Sequence, residues 1–173
     1  HIRAEDIRPV RDLTDMNLHA DGRSVPVRLR TVGRHNVYNA LAAAAAALAT
    51  GLPLETVKFG LEEFHPVAMR SELKDVKGRT ILADYYNANP GSVRAALETL
   101  ASLKTGKRTI AVLGDMLELG DAAAASHLAI GATAAKLGID LMITVGPLAK
   151  HIAKGAVAAG MARDAVFEAE TTS

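Results

Sequence analysis

Residues 80–100, TILADYYNANPGSVRAALETL, run from an apolar stretch through a polar seam into a helix-forming stretch. The apolar run at 80–84 reads as a strand and 90–103 as a helix. Much of the seam explains itself locally. Asn89 is suited to cap the helix, Pro90 to its first position, and Asn87 to closing a turn on its own backbone. Asp84 is different: it ends an apolar strand and needs a partner, supplied either by the loop or by a ligand. The same alternation then repeats, with strands at 109–113, 141–145 and 166–168 and helices at 122–137 and 147–159. Strand starts near 80, 109 and 141 recur at about 30 residues, the length of one strand and its crossover helix. The reading is an α/β fold with a mostly parallel sheet covered by helices.

Upstream the pattern changes. Residues 1–32 alternate polar and apolar positions around Asp21-Gly22, a hairpin dipeptide, and predict a β segment. The run NVYNALAAAAAALAT at 36–50 predicts a helix, stopped by Gly51, and Pro53 opens a second one through Glu63. His65 precedes Pro66 and is pushed towards extended geometry, so a domain boundary is expected there. It divides the chain into residues 1–66 and 67–173.

Composition excludes several classes. With 20 Lys+Arg against 19 Asp+Glu and a net charge of +1, the 173-residue chain has no basic field for nucleic acid or an anionic membrane. It contains no cysteine, which removes thiol catalysis, thiolate metal sites and disulfides, and fits a cytoplasmic location. The apolar run at 40–49 falls well short of the roughly 20 residues of a membrane span. A start at His1, without signal-peptide character, reads as a fragment beginning inside a larger protein. There is no phosphate loop of the G-x-x-x-x-G-K-[ST] type, no G-x-G-x-x-G fingerprint, no nucleophile-elbow serine and no paired-histidine metal motif.

Three seams hold the candidate binding residues. Beyond Asp84, the stretch LGDMLELGD at 113–121 leaves a strand and enters a helix. Asp115 and Glu118 there could hold a cation or an ammonium group or simply be solvated, and Asp121 could cap the helix. His127, farther on, reads as a satisfied structural histidine, with no metal spacing around it. Asn36 and Asn39 are three apart at the start of the alanine-rich helix. Their amides share a face and could read a heterocyclic base, or Asn36 could cap the helix with Asn39 incidental.

Taken together and in order, GRHNVYNALAAAAAA (33–47), DYYNANPGSVRAALETLA (84–101) and VLGDMLELG (112–120) resemble the Mur ligases of bacterial peptidoglycan synthesis. The first motif is general to that family. The other two resemble its branch that joins D-alanyl-D-alanine to UDP-N-acetylmuramoyl-tripeptide. The resemblance implies that residues 1–66 end the central ATPase domain and that 67–173 are a Rossmann-like C-terminal domain, truncated at its end. It also implies ATP and Mg²⁺, an acyl phosphate intermediate, and a cytoplasmic, monomeric full-length enzyme of cell wall biogenesis, cell shape and division. By the same resemblance, His35, Asn36 and Asn39 face the adenine end of ATP, Arg70 the phosphates and Asp84 the ribose; the latter two are also the catalytic candidates. Domain closure would bring Arg70 and Asp84 onto the nucleotide. Asn87, Asn89, Asp115 and Glu118 are candidates for the dipeptide side.

Some positions depart from the family pattern: Tyr85 stands where serine is usual, Ala83 where a second acid is frequent, and Met69 where glycine often precedes the arginine. The phosphate loop, the metal-binding acid and histidine and the modified lysine of the family have no counterpart in these residues. The fragment alone is therefore expected to be inactive, with Mg²⁺ held mainly elsewhere. Two alternatives stay open: a Mur ligase adding another amino acid, and a non-catalytic nucleotide- or amino-acid-binding module.

Overall fold

A computed structural model describes residues 1–170. The chain divides between Tyr85 and Tyr86 into two compact units.

The first unit opens with an antiparallel meander, β1 (Ile2–Val10), β2 (Leu13–Ala20) and β3 (Arg23–Leu29), in the order β1-β2-β3. Asp21 and Gly22 both have positive φ, 48° and 79°, and Ala20 pairs with Arg23. This is the two-residue hairpin turn expected of the sequence, whose twist matches that of the strands. Along β2 the burial alternates: Thr14, Met16, Leu18 and Ala20 face inward. Two helices cover that face, α1 (Arg34–Ala49) and α2 (Leu54–Glu63), separated by Gly51 at φ 88°. Met16, Leu18, Val27, Leu29, Val37, Ala44 and Val57 are among the residues of this core.

The first unit then adds a hairpin, β4 (Glu72–Val76) and β5 (Arg79–Ala83), which corrects the sequence reading. The strand expected at 80–84 is present, but it pairs antiparallel with β4 rather than opening the parallel progression. The cause is local. Lys77 and Gly78 both adopt positive φ, 53° and 75°, and close a two-residue turn that makes the neighbouring segment the nearest partner. ELKDV, polar and largely exposed, carries no apolar alternation that would have announced it.

The second unit is α/β. It runs α3 (Pro90–Ser102), β6 (Ile110–Gly114), α4 (Ala123–Lys136), β7 (Leu141–Val145), α5 (Lys150–Ala158) and β8 (Val166–Ala169). The three strands are parallel in the order β6-β7-β8. Their inward residues Ala111, Met142 and Val166 pack with Leu97, Ile130, Ala134, Ile152 and Ala156 of the helices. Asp121, a candidate cap, does not cap α4; it lies in a single 3₁₀ turn, Gly120–Ala122, ahead of that helix.

Helices α4 and α5 meet backbone to backbone. A Cβ added at Gly131 would lie 1.9 Å from the Ile152 carbonyl oxygen, and one at Gly155 2.1 Å from that of Leu128. Overpacking of this kind costs about 1–3 kcal/mol or more, so Gly131→Ala and Gly155→Ala are expected to lower the urea midpoint clearly. Gly60→Ala, whose added methyl meets nothing within 4 Å inside α2, is the control. It should gain roughly 0.5–1 kcal/mol from helix propensity.

Asp140 joins the start of β7 to the segment before β6. It accepts from Lys104 Nζ at 2.8 Å and from both the amide and hydroxyl of Thr109 at 2.7 Å. Lys104 first, then Thr109, hold its carboxyl far below the usual range. A carboxyl with a depressed folded-state pKa stabilises fully above its unfolded value, about 3.9, and loses that contribution as pH falls towards the folded value. Unfolding midpoints of the parent and Asp140→Asn should therefore differ at pH 6 and converge as the pH drops below about 4.

Candidate functional site

The first cluster is assembled where β3 hands over to α1. Thr31 and Val32 are buried, and Thr14 donates its hydroxyl hydrogen to the Thr31 carbonyl at 2.8 Å. Gly33, at φ 92°, turns the chain into the helix with no side-chain cap. Asn36 is therefore not the cap. It sits inside the first turn and donates from Nδ2 to Thr31 Oγ1 and to the Val32 carbonyl, both at 2.8 Å. Its Oδ1 accepts from Asn39 Nδ2 at 3.3 Å. The two asparagines do share a face, and Asn39 is exposed.

A second strand of the cluster is the turn at residues 69–71. Met69 and Ser71 both adopt left-handed backbone, φ 65° and 49°. Met69 thus takes a backbone conformation that glycine adopts more readily. The turn is tied at each residue. Met69 N–H donates to Glu72 Oε2 at 3.1 Å, Tyr85 N–H to the Met69 carbonyl at 3.1 Å, and Arg70 N–H to the Val67 carbonyl at 3.3 Å. The Met69 amide, with Lys74 after it, holds the Glu72 carboxyl below its ordinary range. Ser71 N–H donates to Asp84 Oδ1 at 3.0 Å. The partner that Asp84 required is thus a backbone amide of the loop, which engages one of its oxygens.

Ser71 also reaches the first cluster, because its Oγ lies 3.3 Å from His35 Nε2. The structure so brings His35 and Asp84 into one hydrogen-bonded set around Ser71, with Arg70, exposed, next to that central residue, while Asn36 and Asn39 form a second set that starts one residue farther along α1. Sequence reasoning missed Ser71, since no pattern announces a serine in left-handed backbone. Ser71 and Thr31 line a cleft of about 800 Å³. Arg30, on its wall, donates to the Glu62 carbonyl at 2.8 Å and lies 3.0 Å from His65 Nε2.

The remaining candidates belong to the second unit. Asn89 accepts from Ser92 N–H at 2.9 Å, and Ser92 Oγ accepts from Asn89 N–H at 3.1 Å, a reciprocal capping box at the start of α3. Asn87 Oδ1 accepts from the Ala88 amide at 2.9 Å. Asp115, just past β6, accepts from Ala149 N–H at 2.7 Å at the start of α5. Its carboxylate occupies the space that a side chain at Gly146 would fill, within 2.8 Å of the position of a Cβ there. Glu118 is exposed at φ 62°, beside Leu117, which is 68% exposed.

The loop carrying them is pinned by His127, which is 0% exposed. Its Nε2 accepts from Met116 N–H at 2.9 Å while Nδ1 lies 2.7 Å from the Ala123 carbonyl. That pairing is the neutral ring with its hydrogen on Nδ1, the satisfied structural histidine expected from the sequence. Among the described residues no group of three or more histidines and carboxylates is placed to hold a metal ion, and no helix is long and apolar enough to cross a membrane.

Comparison with known proteins gives concordant results. The family model for the Mur ligase glutamate ligase domain matches residues 69–172. The UDP-N-acetylmuramoyl-tripeptide–D-alanyl-D-alanine ligase of Escherichia coli is 40% identical over 134 residues, covering 77% of this chain and 29% of that protein. Its Mycobacterium bovis counterpart is 41% identical over 135 residues, covering 75% and 26%. Among solved structures, MurF from Acinetobacter baumannii superimposes with a TM-score of 0.88 at 32% identity, over 98% of this chain and 36% of that one. The chain thus spans between a quarter and a third of the length of the curated relatives it matches.

Replacing His127 by alanine would strip the buried Met116 amide of its acceptor and open a cavity beneath the loop. The expected loss is about 2–4 kcal/mol of unfolding free energy, read from urea denaturation. A loss below about 0.5 kcal/mol, the scale of an ordinary surface change, would show that the loop does not depend on this ring.

Proposed function

The chain belongs to the Mur ligase family, and from that premise we propose that it is part of an ATP-dependent ligase joining D-alanyl-D-alanine to UDP-N-acetylmuramoyl-tripeptide in the cytoplasm. The observation that carries this reading is the identity of 40% and 41%, over three quarters of the chain, to proteins named for that reaction. In it, a carboxylate oxygen of the tripeptide attacks the γ-phosphorus of ATP. The bond to ADP breaks and an acyl phosphate forms. The dipeptide amine, having lost its proton, then attacks the acyl carbon, and inorganic phosphate departs as the amide forms.

The chain's own residues serve binding and orientation in this scheme. Asn39 offers its amide to the adenine end of ATP, oriented by Asn36 on the same helix face, with His35 beside them. Arg70 meets the phosphates as a fixed cation held on a tied turn. Asp84, with one oxygen engaged by Ser71, offers the other to the ribose hydroxyls. Glu118 and Asp115 lie past the carboxyl end of β6, the edge at which parallel sheets bind ligands, and stand for the dipeptide side together with Asn87 and Asn89. In this scheme Mg²⁺ is held mainly by other residues of the complete enzyme. In domain terms, residues 1–66 close the ATPase domain and 67–173 form the C-terminal domain. The start of the family match at residue 69 supports that division.

The test is phosphate release by the complete ligase carrying this chain, supplied with UDP-N-acetylmuramoyl-tripeptide, ATP, Mg²⁺ and D-alanyl-D-alanine. Release should require the dipeptide. Asp84→Ala and Arg70→Ala should each lower kcat/KM for ATP by roughly 10- to 100-fold, the loss expected of one charge-assisted hydrogen bond. Turnover with a single amino acid in place of the dipeptide would instead mark a different member of the family.

A further inference from the structure

We propose that Ser71 is a positioning residue for the nucleotide, setting the His35 ring through its hydroxyl and the Asp84 carboxylate through its amide while its backbone aims Arg70. The inference rests on the nucleotide-binding reading just given and adds to it a residue to which neither motif nor spacing pointed.

Three observations carry it. Ser71 is 6% exposed, while Arg70 before it is exposed. Its φ of 49° is one that glycine adopts without strain and serine does not. Its two polar groups go to two different candidate ligand-binding side chains, N–H to Asp84 Oδ1 at 3.0 Å and Oγ to His35 Nε2 at 3.3 Å. A turn that only had to reverse the chain and hold Asp84 would be served better by glycine, which keeps the amide and relieves the backbone. The hydroxyl adds one thing that glycine lacks, the contact with His35. His35 stands in the first turn of α1, one residue before Asn36. Ser71 therefore couples the base-facing end of the site to the phosphate- and ribose-facing end through bonds made by one residue. A hydroxyl suits this place because it donates or accepts, and so pairs with either tautomer of the ring.

The experiment uses the complete ligase and measures KM for ATP, KM for the dipeptide, kcat and the melting temperature without nucleotide. Variants are Ser71→Gly, Ser71→Ala, His35→Ala and Ser71→Gly/His35→Ala, with Asp84→Ala as the reference for the site itself. Ser71→Gly should raise KM for ATP about three- to tenfold, the effect of one hydrogen bond, and leave KM for the dipeptide and the melting temperature close to those of the parent. Ser71→Ala, which keeps the amide, should give the same KM shift even if its melting temperature falls. The double variant should be no worse than His35→Ala alone, because both remove one contact.

An unchanged KM for ATP in both Ser71 variants, with Asp84→Ala and His35→Ala impaired, overturns the inference and leaves the site reading intact. So does a double variant whose defect is the product of the single ones, or a loss confined to melting temperature and kcat. If Asp84→Ala and His35→Ala also bind ATP as the parent does, the nucleotide reading fails and the role of Ser71 falls with it.

Discussion

The arrangement at the candidate site depends on a short piece of backbone held where it would not otherwise stay. Left-handed geometry at a non-glycine residue costs roughly 1–2 kcal/mol, and the turn at 69–71 carries two such residues, Met69 and Ser71. A strained conformation of this kind persists only when its surroundings over-determine it. Here they do. The Met69 and Ser71 amides each meet a carboxylate, and the Met69 carbonyl is engaged by the amide that follows Asp84. Residues on β4, just past β5 and on α1 are thereby tied to a three-residue segment whose middle member is Arg70.

The second unit uses the same device in a buried form. The loop after β6 has no regular structure to satisfy its backbone, so side chains substitute for it. His127 accepts the Met116 amide, and Asp115 accepts that of Ala149. Gly146 is required opposite Asp115, because any side chain would occupy the volume that the carboxylate fills. Glycine is equally required where α4 crosses α5, for there the helices touch through carbonyl oxygens. Fixed helices make a fixed loop, and Leu117 and Glu118 are presented from a frame that other residues hold.

The sequence disclosed those parts of the fold in which local and global preferences agree. The Asp21-Gly22 hairpin, the alanine-rich α1, the strand at 141–145 and the Asn89–Pro90 helix start all stand where composition and capping rules put them. The β4–β5 hairpin was not legible, because its turn is Lys-Gly rather than Asn-Gly and its first strand lacks an apolar face. Asp121 failed as a cap because a 3₁₀ turn intervenes before α4. At the site, the shared face of Asn36 and Asn39 followed from helical spacing, whereas the direction of their hydrogen bonds did not. Asn36 looked like a cap that accepts; in the fold it is a donor, since Gly33 had already turned the chain. The partner of Asp84 was hidden for a similar reason. It is a backbone amide across the β4–β5 hairpin, exposed to the carboxylate by a φ that no residue pattern encodes.

Hydrogen-bond valence then sorts the polar residues that crowd the seams. A side chain that has spent its acceptor on the fold has less to offer a ligand. Asn89 gives its oxygen to the Ser92 amide, Asn87 gives its own to Ala88, Asp115 commits one oxygen to Ala149, and Asn36 commits both amide hydrogens and shares its oxygen. Asn39 retains most of its amide, Asp84 an oxygen, and Glu118 is exposed on a pinned loop. The crowding of Asn, Asp and Gly in DYYNANPGS and LGDMLELGD therefore reflects two demands met by different members of each run. Some residues satisfy the backbone that irregular segments expose, and the remainder are held by them in position to meet a ligand. Irregular loops that leave a strand need the first group in order to have the second.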